Sequence, residues 1–302
     1  MGEIKYLLSG GFSLMFWFSS IEKKYTFTDD IRSIGGHEVY RIKAVKDFSD
    51  VKAGDLGGFI EKGKNLSHYG DCWVYSGACV YGNAKVYDNA RIYGNAEIYD
   101  NARIYGNAKV YGKARVYENA KICDNAKIYD DAKIYDDARI YGNAKVYGKA
   151  RVYENAKICD NAKIYDDARI YGNAKVYEFS EVYGKIGAFR AYIHEITEVY
   201  GCAKIYGNAK VYDNAEIYDD AEIYDNAKIY KSAEVFGNAK VYDNAKIYEK
   251  SKVYGNAKVY GYAEVYGYSF IYKNAEVFGN AKVYNGTAIL GKLDCDIRKP
   301  NN

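Results

Sequence analysis

Val86-Tyr87-Asp88-Asn89-Ala90-Arg91 is one copy of a six-residue pattern that recurs through most of this 302-residue chain. Its general form is an aliphatic residue, Tyr, Gly or Asp, Asn, Ala and a charged residue. The tyrosine slot recurs every sixth residue over 75–189 and 200–284, and its only other occupants are Cys123, Cys159, Phe189, Phe236 and Phe278. A fixed short period implies that each repeat is one structural unit stacked on its neighbours.

The order of residues within the repeat predicts a short strand followed by a tight corner. Successive side chains of a strand face opposite sides, so if Ile92 points inward, Arg91 and Tyr93 point outward. The Gly/Asp–Asn pair supplies the corner, because these residues tolerate positive φ. Alanine returns inward where only a small side chain fits. The six-residue period is therefore set by the inward-facing aliphatic and alanine positions, whereas the tyrosines lie on the surface.

These hexads predict an all-β fold, a single-stranded left-handed parallel β-helix with three hexapeptides per coil of 18 residues and a small N-terminal cap. A two-sided coil of twelve residues is the structural alternative. At the spacing of paired strands, about 4.8 Å, roughly 12 coils would make a rod on the order of 55–60 Å long. Residues 18 apart would then stack in columns over a dry, narrow interior of Val, Ile and Ala.

The predicted organisation has six parts. Their bounds are 1–22 for an apolar extension, 23–68 for the cap, 69–189 for the first β-helix segment, 190–199 for a register break, 200–290 for the second segment and 291–302 for a polar tail. Residues 6–21 are apolar and uncharged, and they are read either as a signal or membrane anchor or as a cap strand or upstream extension. The six cysteines lack metal-ligand spacing, which favours a reducing cytoplasm; secretion is the alternative if residues 1–22 act as a signal.

The cap carries a family resemblance. Its motifs are DFSDVKAG at 47–54, GGFI at 57–60, LS at 66–67 and GDCWVY at 70–75. Together with the hexads, this stretch resembles the YdcK-like branch of the hexapeptide-repeat left-handed β-helix superfamily, whose bacterial members often carry an acyltransferase label. The resemblance implies acyl-CoA as a cosubstrate. From the residues themselves we expect the cap to be a plug, because the first coil of a β-helix exposes unpaired strand edges.

One interruption breaks the period. The interval from Tyr183 to Tyr200 is one residue short of a coil, which we interpret as a deletion that shifts the register. His194, within it, is the candidate general base if the chain is an acyltransferase, since such enzymes use histidine to deprotonate the acceptor. His37 and His68 lie in the cap, where structural roles are expected.

The predicted binding surface consists of outward tyrosine columns on which sugars could stack. Its residues are Tyr75, Tyr93, Tyr111, Tyr129, Tyr147, Tyr165 and Tyr183 in one column and Tyr87, Tyr105, Tyr141 and Tyr177 in another. Cys123 and Cys159 alternate with tyrosine in the second column and are candidate redox steps. They lie two coils apart, about 9–10 Å, which is beyond the reach of a disulfide.

The charged slot is basic throughout 85–175 except at Glu97, although acidic corner residues lie between the basic rows. The function we predict is a non-enzymatic scaffold whose tyrosine columns serve self-association or a protein or glycan partner, with no cofactor and no metal. An acyl-CoA-dependent acyltransferase is the first alternative. Nucleic-acid binding is the third hypothesis, weakened by the interleaved acids. A membrane contact is expected only if residues 6–21 are an anchor.

Overall fold

The computed structural model describes residues 22–183, 191–193 and 197–294. The cap begins with strands β1 (Tyr25–Ile34) and β2 (His37–Ala44), continues with β3 (Leu56–Ile60) and ends with a 3-10 turn at Gly63–Asn65. All further strands of the described chain are short rungs of three parallel sheets.

Each coil contributes one rung to each sheet. The first sheet continues β1–β3 with Cys79–Val80, Glu97–Ile98, Arg115–Val116, Lys133–Ile134, Arg151–Val152, Arg169–Ile170, Tyr192–Ile193, Lys210–Val211, Lys228–Ile229, Lys246–Ile247, Glu264–Val265 and Lys282–Val283. The second sheet contains Trp73–Val74, Arg91–Ile92, Lys109–Val110, Lys127–Ile128, Lys145–Val146, Lys163–Tyr165, Glu181–Tyr183, Lys204–Ile205, Glu222–Ile223, Lys240–Val241, Lys258–Val259, Glu276–Val277 and Lys292–Leu293. The third sheet contains Lys85–Val86, Arg103–Ile104, Lys121–Ile122, Arg139–Ile140, Lys157–Ile158, Lys175–Val176, Glu198–Val199, Glu216–Ile217, Glu234–Val235, Lys252–Val253, Phe270–Ile271 and Ala288–Ile289.

Neighbouring rungs pair in parallel with a register of one coil. Val110 lies opposite Ile128, and Val116 lies opposite Ile134, in each case 18 residues further along. The predicted fold class, an all-β parallel β-helix with three hexapeptides per coil, is confirmed. The two-sided alternative was wrong, because three sheets and an 18-residue register require a three-sided coil.

The core is the column of aliphatic and alanine slots, whose members are almost all fully buried. Serine replaces alanine at a few of these slots. There the hydroxyl donates a hydrogen bond to a carbonyl three residues earlier, from Ser180 to Tyr177 (2.8 Å) and from Ser251 to Tyr248 (2.6 Å). A small polar side chain is thus tolerated inside because its hydrogen bond is made locally.

The corners have the positive φ expected of the Gly/Asp slot. Asp88 has φ of 58° and Gly94 has φ of 69°. A corner carboxylate also accepts a backbone N–H from the coil that follows, as Asp124 does from Gly142 at 3.0 Å. The corner acids are therefore engaged in joining coils.

The interruption is an insertion, which corrects the predicted deletion. Across it the paired residues are Ile170 with Ile193, Val176 with Val199 and Val182 with Ile205, each five residues wider than a normal coil. Tyr200 stacks on Tyr177 and not on Tyr183. The interval of 17 residues between Tyr183 and Tyr200 was therefore measured between two different columns, and it does not indicate a missing residue. The additional residues fall between the rungs Glu181–Tyr183 and Tyr192–Ile193, and the register returns to 18 afterwards. The rungs on either side therefore keep their places in the three ladders.

The cap extends the first sheet beyond the first coil. β1 and β2 form an antiparallel hairpin, β3 is antiparallel to β2, and β3 pairs in parallel with the rung Cys79–Val80. Gly58 permits a close approach here, since a Cβ at this position would lie 2.4 Å from the carbonyl oxygen of Ala78. The hairpin therefore covers the edge that the first coil would otherwise expose.

Residues 1–21, with the predicted signal or anchor, and 295–302 of the predicted tail lie outside the described residues, as do 184–190 and 194–196 with His194. Within the described ranges, no helix is both long enough and apolar enough to span a membrane.

Candidate functional site: tyrosine ladders and an asparagine–lysine groove

Tyrosines of the second sheet form a continuous stack of parallel rings, the second-sheet ladder. Successive ring centroids are 4.2 to 4.9 Å apart, and the ring planes diverge by at most 13°. Its members are Tyr75, Tyr93, Tyr111, Tyr129, Tyr147, Tyr165 and Tyr183. All of the first predicted column is therefore brought together.

The ladder presents ring edges and hydroxyls, not ring faces. Each interior ring has its two faces covered by the rings above and below, and these side chains are only partly exposed. A sugar or a base cannot stack on a face that is already covered. The expectation that sugars stack on the columns is thus wrong for interior rings, and a partner meets a row of phenol hydroxyls one coil apart.

A further ladder on the first sheet was not among the predicted site residues, although the same six-residue phase marks it. It consists of Tyr81, Tyr99, Tyr117, Tyr135, Tyr153 and Tyr171, with centroids 4.9 to 5.1 Å apart. Burial, together with the charge of neighbouring tyrosines, raises the pKa of Tyr99, Tyr117 and Tyr135 to about 12.

On the third sheet, Cys123 and Cys159 interrupt the predicted column. Tyr87 stacks on Tyr105 at 5.0 Å, and stacking continues from Tyr177 to Tyr200 at 5.1 Å. Both thiols are partly exposed, and burial raises the pKa of Cys123 and brings that of Cys159 to about 11. A raised pKa favours the protonated thiol, which is the less reactive form. Their redox role stays a prediction.

Corner asparagines form a ladder of amides. Each side-chain N–H donates to the amide oxygen one coil on, at 3.2 Å from Asn107 to Asn125, 3.2 Å from Asn125 to Asn143 and 3.3 Å from Asn143 to Asn161. An amide has two N–H groups, and the ladder uses one of them. The second can serve a ligand lying alongside.

A groove of about 520 Å³ runs beside these amides. One asparagine and one lysine from each of four coils line it: Asn107, Lys109, Asn125, Lys127, Asn143, Lys145, Asn161 and Lys163. We call this the asparagine–lysine groove. Because tyrosine follows two residues after lysine in every hexad, the second-sheet ladder flanks the lysine row on its other side.

The lysines of the groove differ from those further along the chain in their ion pairs. In the later coils acid and base alternate: Lys246 lies 2.7 Å from Glu264, and Lys252 lies 2.8 Å from Glu234. In contrast, Lys109, Lys127 and Lys145 form no ion pair with any residue that the structure describes. The groove therefore concentrates positive charge that the protein itself does not neutralise.

The described histidines lie in the cap. His37 contacts Glu61, with Nδ1 3.3 Å from Oε1, as expected of a structural residue. His68 stacks on Tyr25 with centroids 4.3 Å apart, and it lines a second groove of about 280 Å³ with Ser67, Lys85 and Tyr87. Burial, reinforced by the charge of Lys24, lowers the pKa of His68 and so keeps it neutral near pH 7. No sequence signal beyond its place in the cap pointed to this groove.

Two segments of the chain, 102–118 and 138–154, match the family described as "YdcK Beta solenoid repeat". The protein is a hexapeptide-repeat β-solenoid. The two matched segments support the resemblance to the YdcK-like branch that the cap motifs and the repeat indicated.

Other comparisons add little. No curated protein sequence matches the chain. A similar solved structure is the UDP-N-acetylglucosamine acyltransferase of Francisella novicida, 20% identical over 59% of this chain and 68% of that one, with a TM-score of 0.33. A likeness of this size carries no information about activity.

Proposed function

We propose that the protein is a non-enzymatic scaffold whose ladder-bearing faces bind a second copy of the chain or an elongated partner such as a glycan. The observation that carries this proposal is the alignment of equivalent side chains along the second sheet, where stacked tyrosines run unbroken from Tyr75 to Tyr183. A surface that repeats every coil suits a partner that also repeats.

Stacking makes these hydroxyls a rigid surface. Each interior ring is held between two others, so little side-chain freedom remains to be lost on binding, and this loss is a major cost of association. Equal contacts repeated along one rod also act together, because the second contact forms within the same complex as the first. Weak single contacts therefore add up to useful affinity without a deep pocket.

The test measures the full chain by analytical ultracentrifugation and on a glycan array. The variant Tyr111→Phe/Tyr129→Phe/Tyr147→Phe retains the ring stack and removes three neighbouring hydroxyls. We expect it to lose self-association or glycan retention. Tyr262→Phe/Tyr268→Phe, which removes exposed hydroxyls outside the ladders, serves as the control. A wild-type chain that is strictly monomeric and retained by no glycan would overturn the proposal.

An acyltransferase is the second candidate, and the groove under His68 is the observation that favours it. A histidine kept neutral beside a hydroxyl and a lysine has the chemistry of a general base. Acyl-CoA would be needed only under this candidate. Calorimetric binding of acetyl-CoA, with turnover lost in His68→Ala or His194→Ala, would support the enzyme; absence of acetyl-CoA binding would reject it.

A further inference from the structure

We propose that the asparagine–lysine groove binds an acidic linear polysaccharide, with a uronate-type carboxylate at each of Lys109, Lys127 and Lys145. The inference rests on the proposed function, since it names the partner of the same face of the rod. It is carried by Lys109, Lys127 and Lys145, which form a regular, partly exposed row and have no ion pair within the described chain.

The row has the geometry of a linear ligand. Lys109 pairs in register with Lys127, and Lys127 with Lys145, so their side chains leave the second sheet one coil apart, about 4.8 Å. Like charges placed directly opposite each other destabilise a sheet. The nearby corner acids Asp124 and Asp130 are held at the corners by the backbone N–H groups of Gly142 and Gly148, at 3.0 and 3.2 Å, and within the described chain they form no ion pair with these lysines. A bound polyanion would relieve this repulsion between the lysines.

The row also has two ends. On one side Arg91, the equivalent cation one coil earlier, is engaged by Asp50 and by the hydroxyl of Tyr75. On the other side Lys163 is paired with Glu181 at 2.8 Å. Within this row of the second sheet, the uncompensated charge is therefore confined to three central lysines, and this length suits a short oligosaccharide segment.

The asparagine and tyrosine rows on either side of the lysines favour a sugar chain over a nucleic acid as the ligand. A uronate polymer offers a carboxylate and hydroxyls on every ring, which match the ammonium groups and the amide and phenol rows on either side. Binding of single-stranded nucleic acid gains much of its affinity from bases stacked on aromatic faces. The tyrosine faces beside this groove are covered by their neighbours, for example Tyr129 by Tyr111 and Tyr147.

The experiment is titration calorimetry of the full chain with an oligogalacturonate, with the methyl-esterified form of the same oligomer and with oligo-dT. We expect the acidic oligomer to bind and the ester to bind at least about tenfold more weakly, because esterification removes the charge and leaves the chain intact. Lys109→Gln/Lys127→Gln/Lys145→Gln should lose about tenfold or more in affinity, the sum of three modest charge contacts. Lys240→Gln/Lys252→Gln/Lys258→Gln, which alters paired lysines of the later coils, should bind like wild type.

A gain of affinity provides a test that misfolding cannot mimic. Glu181→Gln frees Lys163 and extends the uncompensated row by one coil, so we expect tighter binding of the acidic oligomer. Equal binding of acid and ester, or tighter binding of oligo-dT that the groove variant abolishes, would overturn the inference. So would an acidic oligomer that does not bind. None of these results would affect the proposed scaffold function, which depends on the ultracentrifugation and the tyrosine variants.

Discussion

The ring of Tyr129 lies against the ring of Tyr147, with centroids 4.6 Å apart and planes within 4°. This contact changes the interpretation of tyrosine in the repeat. From the sequence, tyrosine was a surface feature that the fold did not require. In the structure it forms an outer layer of packing over the strands, because each ring covers its neighbour and is partly buried by it.

The stacked rings should therefore contribute to stability. Tyr135 lies between Tyr117 and Tyr153 at 5.0 and 4.9 Å, and an aromatic pair is worth about 0.5–1.5 kcal/mol beyond its buried area. We expect Tyr135→Ala to destabilise the protein by about 1–3 kcal/mol, from two lost pairs. Tyr135→Phe should change little, since Phe236 already stacks between Tyr218 and Tyr254. Thermal unfolding measures both, and an alanine variant as stable as wild type would show that the stack is incidental.

Stability should fall in alkaline solution. The pKa of Tyr99, Tyr117 and Tyr135 rises to about 12 in the folded chain, chiefly through burial, against about 10 in an unfolded chain. The folded state thus binds more protons between these values, so stability is fully present below pH ~10 and is lost as pH rises through ~12. Replacing all three by Phe should flatten this decline. Tyrosinate absorbance gives the folded pKa, and values near 10 would contradict the expectation.

Much of the fold could be predicted because the period encodes it. The burial of Ile92, the turn conformation of Asp88 and the pairing of residues 18 apart all follow from one hexad repeated. The five-residue insertion could not be read in the same way, because Tyr200 happens to lie almost one coil beyond Tyr183. The groove under His68 depends on how the cap folds onto the first coil, and nothing periodic encodes that contact. Ring stacking required side-chain angles that a pattern of residue types does not contain.

An acidic column provides a test of charge stacking. Glu216 lies in register between Glu198 and Glu234, which are offset by Lys175 and Lys252, whereas Glu216 forms no ion pair within the described chain. Burial and then the two flanking carboxylates raise the pKa of Glu216. Its ionisation therefore costs stability as pH rises through that pKa, and the cost is absent below about pH 4, where the group is protonated in both states.

We accordingly expect Glu216→Gln to stabilise the protein at neutral pH by only a few tenths of a kcal/mol, since the side chain is largely exposed despite its partial burial and its charge is screened by solvent. The gain should vanish in acid. Glu264→Gln is the matched control, because it breaks the 2.7 Å pair with Lys246 and should be neutral or destabilising. Urea unfolding at two pH values separates the cases, and equal effects of the two substitutions would contradict the charge argument.

At a corner glycine, substitution by alanine should destabilise the protein more than substitution by aspartate. At Gly112, φ is 70°, and a Cβ would lie 2.8 to 2.9 Å from backbone atoms of Asp130. We expect Gly112→Ala to cost about 1–2 kcal/mol, the penalty of a left-handed conformation for a residue with a Cβ.

Gly112→Asp should cost less, because other corner columns accommodate carboxylates in succession. Glu118 accepts the N–H of Asp136 at 2.8 Å, and Asp136 accepts that of Glu154 at 2.9 Å. An aspartate at 112 can make the same bond to the coil above, which alanine cannot. Gly286→Ala measures the cost of the left-handed backbone conformation alone, since φ is 69° there but no atom lies within 4 Å of the added Cβ. In thermal unfolding, the Gly112→Asp variant should be more stable than the Gly112→Ala variant, and Gly286→Ala should destabilise the protein less than Gly112→Ala. If Gly112→Ala were instead more stable than Gly112→Asp, the corner hydrogen bond would not hold the coils together.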